Sequence, residues 1–380
     1  MIRKLLARDT AEAHRVATPL ELLFDLSFVV AVAQAAAGLH HAVVENHAGA
    51  GLLAFCMAFF ALWLPWLNFT WFASAFDNDD TLYRIITMFQ IAGVLVIAAG
   101  IPAVFERQDY RIVVSGYVVI RLAMVAHWLR ASLDNPAHKT CARRYAAGIA
   151  GMQVLWVLWV VLAPPSLQLP LWVLGMIGEL LVPVWAERAE ATSWHPHHIA
   201  ERHGLFTLIV LGESILSTTM AFQKGFDSGV NLISLAAASL IIVFSVWWIY
   251  FEAPTHLHNQ KKAFLWGYAH LLILGSIAAL GAGLASSVDY DLHLSHAPGT
   301  TVAAFTTVPL AIFFLCVWYV QDCPGQAGLR KYLLPLGSVA VLAATFGPAP
   351  IHVTAGIAAV VVVLTRLVGE PAQVAVAQST

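Results

Sequence analysis

The chain has 380 residues, of which 59% are hydrophobic and only 11% charged, with a formal net charge of −2 and a mean hydropathy of +0.75. A soluble domain of this length does not tolerate that composition, so a soluble enzyme or binding module is excluded and no nucleic-acid partner is expected. The composition is that of a polytopic, all-α transmembrane bundle, whose first partner is the lipid bilayer.

Residues 1–18 hold Arg3, Lys4, Arg8 and Arg15 but no short apolar core followed by a small-residue cleavage site, which predicts an uncleaved cytoplasmic segment. The stretch TPLELLFDLSFVVAVAQ follows, from Thr18 to Gln34. Thr18 can cap a helix and Pro19 suits its first turn, where a missing N–H costs nothing. The span predicted at 20–39 carries two acids, Glu21 and Asp25, four residues apart on one helical face. A carboxylate at depth costs roughly 2.5–3.5 kcal/mol even on lenient insertion scales, so each needs a partner, water or a proton.

Further apolar windows of about 20 residues mark spans at 51–72, 83–104, 112–129, 145–163, 167–186, 204–222, 232–251, 264–286, 302–320, 332–346 and 351–368. That makes twelve, with ten or eleven as alternatives because Gly347-Pro348-Ala349-Pro350 cuts the last two short. Of the 20 Lys and Arg, only Arg107, Arg111 and Lys224 fall in the segments on the far side from the N-terminus. Arg121 lies within a span, and the remainder share the side of the N-terminus, which places both termini in the cytoplasm. Trp63, Trp66 and Trp71, and then Trp247, Trp248 and Tyr250, crowd span ends and are expected at the headgroup level. Cys56, Cys141, Cys316 and Cys323 show no metal-ligand spacing.

Away from the span ends the ionisable groups are Asp25, Arg121, Glu179, Glu213 and His270. Helical rise puts Asp25 and His270 roughly 9 Å deep and the other three roughly 12–14 Å deep. Arg121 cannot lose its proton and needs an acid, for which Asp25 and Glu213 are the expected partners. Spans one and seven each follow a basic residue with a deeper acid, Arg15 with Asp25 and Arg202 with Glu213, and spans two and eight each end in aromatics followed by acid. The pattern points to a parallel 6+6 repeat, with Asp25 and Glu213 as the coupling or ion-binding acids of its two halves. Glu21, Arg121, Glu179 and His270 are their expected company.

The halves are expected at 19–190 and 204–369, joined by a His-rich cytoplasmic loop at 191–203 and followed by a flexible tail at 370–380. In the loop His195, His197, His198 and His203 are the candidates for a metal, but their spacing fits no zinc pattern and no metal is expected; helix capping, headgroup contacts or pH sensing are the preferred roles. There is no H-E-x-x-H, no G-x-S-x-G and no nucleotide loop, so no cofactor is expected and the chain reads as something other than an enzyme. The leading reading is a secondary transporter or ion-coupled permease for a small solute or ion. Alternatives are a non-transporting sensor or structural membrane protein, or an intramembrane enzyme.

TPLELLFDLSFVVAVAQ and, at His197 to Ser214, HHIAERHGLFTLIVLGES resemble the two signatures of the low-temperature-requirement protein A family of bacterial membrane proteins. The likeness continues through ASAFDNDDTLYR and WIYFEAP. The family pattern falls on Glu21, Phe24, Asp25, Arg202, Gly204, Gly212 and Glu213, with His203 standing where Phe or Tyr is expected. The resemblance implies a multi-pass protein of the bacterial inner membrane linked to growth in the cold, with no reaction attached.

Overall fold

An apolar run can cross a bilayer only if every backbone N–H and C=O is bonded within the segment, and a helix achieves this without partners. The computed structural model describes residues 3–9, 15–76, 78–227, 232–252, 257, 260–322 and 329–368; the expected tail at 370–380 and Cys323 lie outside the described residues. Twelve α-helices result among the described residues: α1 Pro19–Val44, α2 Ala48–Phe76, α3 Thr81–Arg107, α4 Arg111–Asp134, α5 Lys139–Leu162, α6 Pro165–Glu187, α7 Pro196–Asp227, α8 Ile233–Glu252, α9 Gln260–Asp291, α10 Gly299–Val317, α11 Arg330–Ala344 and α12 Pro350–Leu367. Eleven are long and apolar enough to cross a membrane. The exception is α11, whose 15 residues reach about 22 Å against a hydrocarbon core of about 30 Å. This is where Pro350 and the turn before it divide the C-terminal apolar stretch. Rows of outward Leu, Ile and Val, such as Leu22, Leu26 and Val30 on α1, supply the lipid-facing surface.

Helix starts are set locally. At α1 the Thr18 hydroxyl accepts from the Glu21 N–H at 3.3 Å while Glu21 Oε2 accepts from the Thr18 N–H at 2.7 Å, a reciprocal capping box. At α3 Asp80 accepts from the Tyr83 N–H at 2.8 Å, and at the far end Gln108 takes the left-handed conformation that closes many helices. The helix α7 begins at Pro196, so residues 196–203, expected in a loop, are its first two turns.

The chain divides into two compact units, one of residues 1–35 and 56–206, the other of 36–55 and 207–380. In the first, α3, α4, α5 and α6 pack each against the next in chain order. At the α3–α4 crossing Gly93 and Gly116 lie against each other's backbone, where a Cβ on Gly116 would stand 2.6 Å from the Gly93 carbonyl oxygen. The aromatic core is built on α2: Trp63, Trp66, Phe69, Phe72 and Phe76 are fully buried and Trp71 nearly so, each turned toward protein. Residues 3–9 run extended across helix ends of the same unit. Their N–H groups alternate onto side chains, Arg3 to Asp80 at 2.8 Å, Leu5 to Asp134 at 2.8 Å and Ala7 to Asn135 at 2.7 Å.

In the second unit α9 is the enclosed helix, with α10 against it, α11 and α12 following in order, and α8 on α12. A Cβ on Gly283 would lie 2.1 Å from the Phe305 carbonyl oxygen of α10, and one on Gly281 2.7 Å from Ser214 Oγ of α7. Trp247 and Trp248 remain exposed as expected of span-end rings, whereas Tyr250 is buried.

Candidate functional site

Glu21 and Asp25 project from one face of α1 into the interior of the first unit, and both are fully buried. What meets them is Arg202, from the second turn of α7. Its Nε donates to Asp25 Oδ2 at 2.8 Å, its Nη2 to Asp25 Oδ1, and its Nη1 to Glu21 Oε1 at 3.0 Å. One guanidinium thus forks across Asp25 and reaches one helical turn back to Glu21. Arg15 stands 3.7 Å from Glu21 and donates to the carbonyls of Ala73 (2.6 Å) and Ser74 at the end of α2, where the helix dipole favours a cation. Two carboxylates and two guanidiniums therefore share one buried site. His198 Nε2 lies 3.0 Å from Glu21 Oε1, and the Trp66 indole donates to Asp25 Oδ1 at 2.7 Å.

The rings around this network hold its shape. Trp66 stacks on Phe206 at 4.3 Å, with His203 edge-on to it at 4.8 Å, and Phe24 packs on Phe69 at 4.2 Å. His203 keeps an aromatic ring at the position where Phe or Tyr is expected, while its Nδ1 bonds the Ile199 carbonyl at 2.8 Å. The four candidate metal histidines have separate partners: His195 through its backbone N–H on the Ser74 hydroxyl, His197 near the Arg15 carbonyl, His198 on Glu21 and His203 on Ile199. Among the described residues no three His, Cys, Asp or Glu side chains converge to hold a metal ion.

A second buried network occupies α4, α5 and α6. Arg121 Nη2 donates to Glu179 Oε2 at 2.6 Å, and Glu179 Oε1 accepts from the Tyr117 hydroxyl at 2.9 Å, the Trp156 indole at 3.1 Å and the Gln153 amide at 3.3 Å. This corrects the expectation that Arg121 pairs with Asp25 or Glu213. Depth alone made three acids equivalent, whereas Arg202 already occupies Asp25 and three neutral donors assemble only around Glu179. Among the described residues Arg121 uses one nitrogen of three; its Nε and Nη1 are buried without a hydrogen-bond partner there.

In the second unit Glu213 is 6% exposed. Its Oε1 accepts from the Ser217 hydroxyl one turn on at 2.9 Å, and its Oε2 has no hydrogen-bond partner among the described residues. No described cation pairs with it. The preceding Gly212 has open space where a Cβ would go, so packing within the described residues does not require a glycine there. Gly204 is half-buried near the start of the same helix. His270, fully buried, donates from Nδ1 to the Trp266 carbonyl at 2.7 Å, which leaves Nε2 to accept the Tyr250 hydroxyl at 2.9 Å.

Sequence reasoning named Arg202, Arg15, His198 and Trp66 for other reasons and missed that they gather around Glu21 and Asp25. A signal existed for the first: two acids spaced to share a cation, and a basic residue inside the second signature stretch.

The profile of the family described as bacterial low temperature requirement A protein (LtrA) matches residues 16–366. The chain is also 25% identical over 331 residues to an uncharacterized protein of Rhizobium meliloti (strain 1021), covering 82% of this chain and 78% of that protein.

Proposed function

The chain belongs to the bacterial low temperature requirement A family, and from that premise we propose that this multi-pass membrane protein is a secondary transporter coupled to protons or a small cation, with Glu213 as its coupling carboxyl. One observation carries the reading: Glu213 is a buried carboxyl within a membrane-spanning helix, held by a single hydroxyl and by no described cation. A carboxyl so placed is costly to keep unless it exchanges a proton or an ion. Glu21, Asp25 and Arg202, by contrast, compensate one another and serve as the fixed frame of the first unit, as Arg121 and Glu179 do in the second network. Both termini are cytoplasmic in this reading, the membrane is the bacterial inner membrane, and the cargo is a small solute or ion.

Proteoliposomes containing a trapped pH indicator, challenged with a panel of amino acids, organic acids, sugars and alkali cations, test it. Wild-type protein is expected to move protons or cations in response to at least one solute. Glu213→Gln should abolish that coupled movement while solute exchange persists. Folded protein that stays silent across the panel, or a Glu213→Gln variant with unchanged coupling, sinks the proposal. A second reading, a non-transporting membrane sensor or structural protein, draws on the full compensation of the Arg202 network and expects that silence.

A further inference from the structure

Where α9 and α11 end and α8, α10 and α12 begin, the second unit keeps a cavity with about 390 Å³ of space open to water-sized molecules, within the roughly 300–1,000 Å³ usual for small-molecule sites. Small residues leave it unfilled: Ser287, Gly299, Ala303, Gly347 and Ala349 stand where helices meet their turns. Ala349 holds the left-handed conformation, φ 47° and ψ 57°, which costs a non-glycine residue roughly 1–2 kcal/mol, so the turn between α11 and α12 keeps its shape at the cavity against its local preference. Part of the wall is buried and apolar, from Leu235, Val302 and Ile351. Two rings stand on it as well. The hydroxyl of Tyr290 lies where a Cβ on Gly299 would be 2.7 Å away and makes no hydrogen bond among the described residues, and Phe346, in the turn after α11, is 82% exposed.

Asp291 supplies the charge. It is the last residue of α9, where the helix dipole disfavours an anion, and it makes no hydrogen bond or ion pair among the described residues, whereas Asp289 one turn before the end has His40 at 2.8 Å. The side chains whose positive field can reach Asp291 are imidazoles, His352 in the lining and His293 outside it. No Lys or Arg lines the cavity, so with histidine counted as neutral the lining carries one net negative charge. We infer that this cavity binds a small organic ammonium ion, its head on the Asp291 carboxylate and against the Tyr290 and Phe346 rings, its hydrocarbon body on the buried apolar wall. An ammonium can give an N–H to the carboxylate and lay its remaining charge on ring faces, which an alcohol of the same shape cannot. A bare metal cation is a poor fit: one carboxylate does not replace a hydration shell, and among the described residues no three His, Cys, Asp or Glu side chains converge to hold an ion. An anion is disfavoured by the carboxylate, and Pro350 at the start of α12 removes one of the N–H groups that would draw it.

The test is titration calorimetry on the full-length protein in maltoside micelles at about pH 8, above the usual imidazole range, with protein-free micelles as the blank. The probes share one skeleton and differ in the head: benzylamine, benzyl alcohol and benzoate, with sodium chloride as the bare cation. Benzylamine is expected to bind saturably at concentrations where the alcohol and benzoate give no more than the blank. Asp291→Asn should weaken it by about tenfold or more and Phe346→Ala by about two- to fivefold, while Thr300→Trp should abolish it by filling the mouth. Asp291 and Thr300 are both exposed, so neither change disturbs the core. Glu106→Gln, the same charge change at an exposed position of the first unit, should leave binding intact. No saturable binding of benzylamine, equal binding of the alcohol or benzoate, unchanged binding in Asp291→Asn or Thr300→Trp, an equal loss in Glu106→Gln, or displacement by sodium at the concentration of the amine would each overturn the assignment. Binding is read here without transport, so its failure leaves the coupling role of Glu213 standing, and a silent transport panel leaves this site standing.

Discussion

A guanidinium has five donors in a rigid fork, and a dry interior makes each unused one a liability. Arg202 directs all three of its nitrogens at carboxylates, while Arg121 directs one at Glu179. Among the described residues Arg121 is the countercharge of Glu179, so Arg121→Met should lose about 3–5 kcal/mol of stability in unfolding measurements, because the carboxylate is left buried without it. Adding Glu179→Gln should restore part of the loss; adding Asp25→Asn should not, since Asp25 answers to Arg202. Asp80, between α2 and α3, offers a test by pH. Burial would raise its pKa, but the Arg130 guanidinium and the N–H groups of Tyr83 and Arg3 reverse this and hold it well below the ordinary carboxylate range. The unfolded chain therefore binds the proton more readily. The stabilisation is complete above the ordinary aspartate value of about 4 and drains away as the pH falls below it. Thermal unfolding followed from about pH 6 to about pH 3 should show a shallower acid decline in Asp80→Asn than in the wild type. At this scale the sequence exposed Glu21, Asp25 and Glu213, because acids inside apolar runs declare themselves. It concealed Arg202, because a basic residue beside an apolar window looks the same whether it anchors at the interface or turns inward.

Helices were legible as elements, and less so at their ends. The window 204–222 becomes Pro196–Asp227 because capping and packing extend a helix past the residues that make it apolar. Which side of each helix faces a neighbour is written mainly in the small residues. Gly283→Ala should cost about 1–3 kcal/mol, since the new methyl would overlap the Phe305 carbonyl and the Thr306 backbone nitrogen and α9 must separate from α10. Gly212→Ala meets nothing and should be neutral or stabilising by up to about 1 kcal/mol, as removing a helical glycine reduces the entropy lost on folding. Thermal unfolding of the two variants side by side checks the contrast; equal effects would mean that the α9–α10 contact is not close. The tryptophans of α2 show the limit of reading from position alone. A ring near the end of an apolar run can lie at the headgroups or in the core, and only the partner helices decide.

For the whole molecule the charge bias carries a prediction about sidedness. Cysteines introduced at Ser166 and His296 in a cysteine-free background should react with impermeant maleimide from outside the cell, and one at Ala137 only after permeabilisation. Reversal at any of the three would overturn the orientation. The bundle class followed from composition, whereas the partition into units did not, because α1, α2 and α7 each contribute to both. The strap formed by residues 3–9 also fixes an order of events. Its anchors lie 77, 129 and 128 residues further along the chain, at Asp80, Asp134 and Asn135. These residues leave the ribosome before their anchors and must stay unattached until the end of α4 has been made. Closing so long a loop is slow and entropically costly, so the strap fastens late. Docking of residues 3–9 therefore waits for the completion of α4, although these residues are themselves made before every helix whose end they strap.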